Sequence, residues 1–133
     1  MINIIRTGHI LYVNNYCDCV DFYKDKLQLP ILFQQEQLTC FDFYGTYLMI
    51  EQEDRKDYLQ LKKPQKNFSC IRINVSDVQQ VAILLSAKNI NVDYNEYPWG
   101  KTAKFYDPDG NLLAFKDEEG FLKQLQEYRH KND

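Results

Sequence analysis

The sequence predicts an α+β protein of two tandem βαβββ modules followed by a C-terminal helix, and three observations carry that prediction. The first is an internal repeat. Val13-Asn14-Asn15-Tyr16 lies on Val75-Ser76-Asp77-Val78 at a shift of 62 residues, and the same shift lays Phe22 on Leu84 and Phe43-Tyr44 on Phe105-Tyr106. The second half then carries three extra residues, so that Gly45 meets Gly110 and Leu48-Met49-Ile50 meets Leu113-Ala114-Phe115. The second observation is a period of two. From Phe68 to Val75, Ile71, Ile73 and Val75 alternate with Cys70, Arg72 and Asn74, which is the pattern of a half-buried strand. The third is helical spacing after each opening strand: Cys19, Phe22, Tyr23 and Leu27 in one half, Val78, Val81, Leu84 and Leu85 in the other.

In chain order, Ile4 to Val13 opens the first module as a strand. Asn14 or Asn15 caps the helix that follows. Strand-like runs come next, near Ile31–Gln34, Thr39–Tyr44 and Thr46–Glu51. Gln52 to Asn67 is polar and charged, contains Pro64, and reads as the linker. Asp77 is positioned to cap the second helix. Asn91–Tyr94, Lys101–Tyr106 and Asn111–Lys116 supply the remaining strands. Between the last two lies Asp107-Pro108-Asp109-Gly110, where proline fixes φ and glycine permits a positive one. Glu118 to Lys131 is helical, with Phe121, Leu122, Leu125 and Tyr128 as an apolar stripe for its own domain or for a partner subunit. Module 1 thus covers about residues 1–58, module 2 about 67–117 and the last helix about 118–131.

Composition narrows the function classes. The 133 residues are 44% apolar and 26% charged, ordinary for a globular chain long enough to bury a core. The net charge of −3 argues against a general nucleic-acid binder, which needs a basic face. The short Lys62-Lys63-Pro64-Gln65-Lys66 run is read as solvated linker. Cys17, Cys19, Cys40 and Cys70 form neither a disulfide framework nor a CxxC pair, so reduced thiols and a cytoplasmic location are expected. No run reaches the ~20 apolar residues of a membrane helix, and Met1 to Arg6 lacks the basic start and apolar stretch of a signal peptide.

Two βαβββ modules with Val13-x-Asn15 and Phe22-Tyr23 in the first, and Pro98-Trp99-Gly100 and Phe105-Tyr106-Asp107-Pro108-Asp109-Gly110-Asn111 in the second, resemble the vicinal-oxygen-chelate superfamily of glyoxalases, bleomycin resistance proteins and extradiol dioxygenases. Pro-Trp-Gly ahead of the Asp-Pro-x-Gly-Asn turn is most similar to the bleomycin-resistance branch. The resemblance covers nearly the whole chain. It implies curled antiparallel sheets forming a cup around a ligand, helices on the convex side, and a homodimer. In metal-dependent members a His stands seven residues before the strand-end Asp of each module, and a Glu four residues after the turn glycine. Those positions here are Gly8, Cys70 and Ala114, with Met49 at the matching place in module 1. Such a set does not hold a hard divalent ion, so neither metal nor cofactor is expected. His9 is one residue off, and a one-residue offset turns a strand side chain to the opposite face unless a bulge intervenes.

The same parity argument lines the cup with Gly8, Ile10 and Tyr12, with Tyr47, Met49 and Glu51, with Cys70, Arg72 and Asn74, and with Leu112, Ala114 and Lys116. Trp99 stands on the loop before the seventh strand, at the mouth. From this wall the candidate ligand contacts are Tyr12, Tyr47, Met49, Glu51, Cys70, Arg72, Asn74, Trp99 and Lys116. Arg72 is suited to a carboxylate or phosphate, and Trp99 to a planar ligand or a cation. Glu51 as a base, Cys70 as a nucleophile and Arg72 are the catalytic candidates. Against each stands a structural alternative: a rim ion pair, an inert thiol, a packing residue. The expected function is therefore metal-independent binding of a small molecule. A lyase or isomerase of the glyoxalase type is the alternative.

Overall fold

The computed structural model describes residues 3–55 and 69–132. The chain divides into two compact units, Met1–Lys66 and Asn67–Asp133. Each is a four-stranded sheet with a helix on one face, and in the second unit a C-terminal helix also packs against the last two strands.

Unit 1 runs β1 (Gly8–Val13), α1 (Tyr16–Asp21) prolonged by a π-helical turn (Phe22–Lys26), β2 (Ile31–Gln35), β3 (Leu38–Asp42) and β4 (Tyr47–Gln52). The sheet order is β1-β4-β3-β2. Unit 2 repeats the plan with β5 (Ile71–Val75), α2 (Val78–Ala87), β6 (Asp93–Tyr97), β7 (Gly100–Tyr106) and β8 (Leu112–Asp117), in the order β5-β8-β7-β6, and adds α3 (Glu118–Asn132). The α+β class and the βαβββ repeat are those expected. The sheets are mixed rather than wholly antiparallel: β1 runs parallel to β4 and β5 parallel to β8. Each helix carries the chain from the first strand to the far edge, and the two hairpins that follow return the fourth strand alongside the first in the same direction.

Alternation decides the core. In unit 1 Leu11, Val13, Phe41, Leu48 and Ile50 face the helix and are buried with Cys19, Val20, Phe22 and Tyr23. In unit 2 Ala103, Phe105, Leu113 and Phe115 meet Val78, Ala82 and Leu85. The buried side of α2 is thus Val78–Ala82–Leu85, at i, i+4 and i+7, and Leu84 is turned outward, contrary to the expected stripe. Asp77 caps α2 as expected, accepting from Gln80 N. Asn15 precedes α1 without capping it through its side chain, which donates instead to Asp18 Oδ2 at 2.8 Å. Both helices end at a left-handed residue, Gln28 (φ +58°) and Asn89 (φ +63°), followed by a buried Leu29 and Ile90.

Cross-strand register corrects one match of the repeat. Phe41 stands opposite Leu48 and Phe105 opposite Leu113, so Phe41, not Phe43, is the counterpart of Phe105. Phe43 belongs to the β3–β4 turn, where Tyr44 and Gly45 both take positive φ (+54° and +92°), the type I′ geometry that suits a two-residue hairpin. The Asp107 turn is built on its carboxylate. Oδ1 accepts from the backbone N–H of Asp109 and Asn111 and Oδ2 from Asn111 Nδ2, all at 2.9 Å, while Gly110 takes φ +87°.

The expected linker begins inside the fold. Gln52 closes β4, Glu53 N donates to Val13 O at 2.8 Å, and buried Glu53 is held by Arg55. The remainder of the linker, from 56 to 67 with its Lys62–Lys66 run, and Phe68 lie outside the described residues.

Candidate functional site

In both units the face opposite α1 or α2 is only partly covered, in unit 2 by the start of α3, whose Glu118 and Gly120 lie beside Asn74 and Lys116, and the strand register sets its contents. In unit 1 the pairs Gly8–Tyr47, Ile10–Met49 and Tyr12–Glu51 share that face, and β3 adds Cys40 beside Met49 and Asp42 beside Tyr47. In unit 2 it holds the rows Arg72–Ala114–Lys104–Asp93 and Asn74–Lys116–Thr102–Asn95. The parity scheme therefore places Tyr12, Tyr47, Met49 and Glu51 on the face opposite α1 and Arg72, Asn74 and Lys116 on the face opposite α2. His9 pairs with Leu48 on the helix side and is exposed at its rim, so no bulge turns it inward.

A cavity of about 610 Å³ opens on the unit 1 face. Leu32, Phe33, Cys40, Tyr47 and Met49 form most of its wall, and Arg6 and Asp42 bring charge to it. Mostly apolar walls with a few polar groups suit a small organic molecule. Tyr47 and Met49 were expected here. Leu32, Phe33, Cys40 and Asp42 were missed. The period of two in Leu38–Asp42 could have found the last two, but Leu32 and Phe33 reach the wall together through an irregularity in the β2–β3 register that no alternation reveals. Burial pushes the Cys40 thiol above its ordinary value, so it lines the wall as a protonated, weakly polar group. Gly8 has a local reason: a Cβ there would overlap the Tyr47 ring.

Tyr12 and Glu51 lie at the opposite end of that face. The Arg55 guanidinium stands 5.1 Å from the Tyr12 ring centroid and grips Glu53 with 2.7 and 2.8 Å contacts to the two carboxylate oxygens. Those hydrogen bonds hold the Glu53 carboxyl at about 2, against the burial that pushes it up.

In unit 2 the Pro98-Trp99-Gly100 motif is a tight β6–β7 turn, with Tyr97 paired to Gly100. The Trp99 ring stacks on Tyr97, 4.7 Å between centroids and 5° from parallel. Lys116 fixes it. Its ammonium donates to Trp99 O at 3.1 Å and to Asp117 Oδ1 at 3.1 Å, and lies 4.8 Å from the indole centroid. The Lys116 side chain is 0% exposed, so its charge is engaged inside the fold and positions Trp99. Burial pushes the Asp117 carboxyl up, but donation from Lys101 N, Lys116 Nζ and Gly120 N outweighs it and holds the group at about 2. Asn74 donates to Glu118 Oε1 at 3.0 Å. Cys70 precedes β5, exposed, with its thiol on Ile71 O at 3.8 Å.

The residues at the superfamily's metal positions do not fit a divalent ion. Gly8 and Ala114 have no donor, Met49 offers a thioether, and Cys70 lies outside the sheet. Among the described residues no three His, Cys, Asp or Glu side chains gather in one place.

Comparison with known proteins agrees with this architecture. The glyoxalase-like domain family matches residues 7–118, most of the chain. A lactoylglutathione lyase structure from Agrobacterium tumefaciens superposes with a TM-score of 0.69 at 17% identity, covering 86% of this chain and 93% of that one. A glyoxalase/bleomycin resistance protein/dioxygenase from Nocardioides gives 0.70 at 16% identity, covering 88% and 85%. A glyoxalase-related enzyme from Fulvimarina pelagi gives 0.70 at 15%, covering 86% and 88%. A comparison of the sequence with curated proteins found no match. The chain belongs to the glyoxalase-like family, within the vicinal-oxygen-chelate superfamily. The superposed structures, all below 25% identity, speak for the fold alone.

Proposed function

We propose that this protein is a metal-independent binder of a small organic molecule, of the bleomycin-resistance type, that holds its ligand on a sheet face opposite the helix without making or breaking bonds. The observation that carries this reading is the identity of the residues at the metal positions, Gly8, Met49, Cys70 and Ala114, on faces that otherwise keep a 610 Å³ apolar-walled cavity and an aromatic stack. Loss of the ligand set removes the Lewis acid on which glyoxalase-type isomerisation relies. Retention of the cavity keeps the means of binding.

The reading includes a cytoplasmic homodimer. Among the described residues no helix is long and apolar enough to cross a membrane. On α3, Phe121, Leu122 and Tyr128 are exposed, which supports a second copy of the chain as the cover for that stripe.

The deciding measurement is metal content by mass spectrometry on untagged protein, before and after incubation with Zn²⁺, Ni²⁺, Mn²⁺ and Fe²⁺. The expected result is no retained ion, together with saturable changes in Trp99 fluorescence for members of a metabolite and antibiotic library. One tightly held ion per chain or per dimer would overturn the metal-free reading and favour a lyase or isomerase. A flat response to every compound would overturn the binder.

A further inference from the structure

The sheet face of unit 2 opposite α2 carries positive charge at the place that, by the family resemblance, a metal-binding member gives to a carboxylate. Ala114 occupies that place, fully buried and without a functional group. Its cross-strand neighbours on the same face are Arg72 on β5 and Lys104 on β7. Adjacent strands lie ~4.8 Å apart, so the two backbones stand about 10 Å from each other with the small Ala114 between them. Both side chains are exposed, and among the described residues neither forms an ion pair. The carboxylate best placed to satisfy Lys104 is Asp93, directly opposite on β6, but its Oδ1 accepts from Asn95 Nδ2 at 3.0 Å. The third cation of this face, Lys116, is already held by Asp117 and Trp99 O.

A second observation points to the same place. Thr102, next to Lys116 on this face and two residues from Lys104, is 1% exposed, and among the described residues its hydroxyl has no hydrogen-bond partner. Buried hydroxyls are nearly always paired, and leaving one unpaired is costly. On the other side of the Arg72–Ala114–Lys104 row lie Tyr106, exposed, and Leu112, paired with each other. A forked cation, a point cation, a spare hydroxyl and a neighbouring aromatic surface together match one chemistry: a planar organic acid, its carboxylate between Arg72 and Lys104 and its ring against Tyr106.

We infer that unit 2 binds a small aromatic carboxylic acid over Ala114 through Arg72 and Lys104, with Thr102 as the further donor. The inference rests on the small-molecule-binding reading and deepens it by naming the ligand class.

The test is a backbone amide NMR titration with benzoate, with benzamide as its uncharged isostere and inorganic phosphate as an anion without a ring. Benzoate is expected to shift the amides of Arg72, Thr102, Lys104 and Ala114 saturably, benzamide not to, and phosphate to shift the same amides more weakly. Arg72→Gln and Lys104→Gln should each weaken benzoate about tenfold or more, while Lys123→Gln on α3 leaves it unchanged. Both altered side chains are exposed, and an amide spectrum otherwise like that of the parent shows that each variant folds. Benzoate shifts that are absent, located elsewhere or indifferent to both substitutions would overturn the inference. So would phosphate binding as tightly as benzoate, which would leave Tyr106 without a part. Neutral or cationic compounds binding while benzoate stays silent would overturn the anion site and leave the binder intact. Silence from every compound in the library would remove the binding reading itself.

Discussion

Replacing Lys116 with methionine keeps the volume of the side chain and removes its charge, and the structure sets the size of the effect. The ammonium is completely buried, donates to Trp99 O and Asp117 Oδ1, and sits over the indole. Breaking one side of a buried pair costs about 3–5 kcal/mol, because the partner is left charged and unpaired. Here the partner is better provided for. The Asp117 side chain is 16% exposed and keeps the backbone N–H of Lys101 at 2.6 Å and of Gly120 at 2.8 Å. The expected loss is therefore about 2–3 kcal/mol, or roughly 6–9 °C in Tm for a chain of this size. Urea unfolding followed by the fluorescence of Trp99, the one tryptophan, reads the stability. NMR titration of the Asp117 carboxyl reads the cause, since without Lys116 it should move from about 2 toward the ordinary 3.8. A loss below about 0.5 kcal/mol, with the Asp117 titration unmoved, would refute the claim that Lys116 clamps the Pro98-Trp99-Gly100 turn.

Three further predictions follow from geometry already described. Asp117 and Glu53 both have carboxyls held at about 2 in the fold, below ordinary values of 3.8 and 4.5; their contribution is complete above about pH 4.5 and is lost as pH falls toward 2. Unfolding curves across that interval should steepen toward acid in the parent and flatten in Glu53→Gln. Iodoacetamide labelling with mass-spectrometric readout should modify the exposed Cys17 and Cys70 quickly and the buried Cys19 and Cys40 only in denaturant, and fast labelling of Cys40 would contradict its burial and its protonated state. Gly8→Ala should displace the Tyr47 ring into the cavity and destabilise the protein by about 1–3 kcal/mol, and a variant as stable as the parent would show that Tyr47 moves freely.

The fold was legible because its signals are redundant. Alternation, helical spacing and the repeat all pointed to the same two modules, and parity alone put Arg72 and Asn74 on the side opposite α2. Where two signals conflicted, the weaker one misled: chemical likeness drew Phe43-Tyr44 onto Phe105-Tyr106, whereas pairing with Leu48 and Leu113 makes Phe41 the counterpart. Leu84 and Leu85 were both placed in the apolar stripe, but adjacent residues stand 100° apart on a helix, and only Leu85 is turned inward. The candidate site was less legible because it depends on encounters distant in sequence. Nothing local to Lys116 announces that a turn carbonyl at Trp99 will meet its ammonium, so a charged residue on an inner row read as a ligand contact. Lys104 escaped notice for the matching reason: its significance lies in standing across Ala114 from Arg72, two strands away.

The π-helical turn at Phe22–Lys26 accounts for a difference in length between the two halves. From Val13 and Val75 through Tyr23 and Leu85 the two halves correspond at one constant offset. By the left-handed pair Gln28 and Asn89 the offset has shortened by a single position, so the first half holds one residue more, and it is this half whose helix widens. An added residue inside a helix would ordinarily rotate everything beyond it by 100° and pull the following strand off its seat. The wider turn absorbs that rotation, letting Phe22 and Tyr23 both reach the core, edge to face at 5.2 Å, while Leu29 docks as Ile90 does. The π-helical turn is thus where the first half accommodates the one residue by which its helical segment exceeds that of the second.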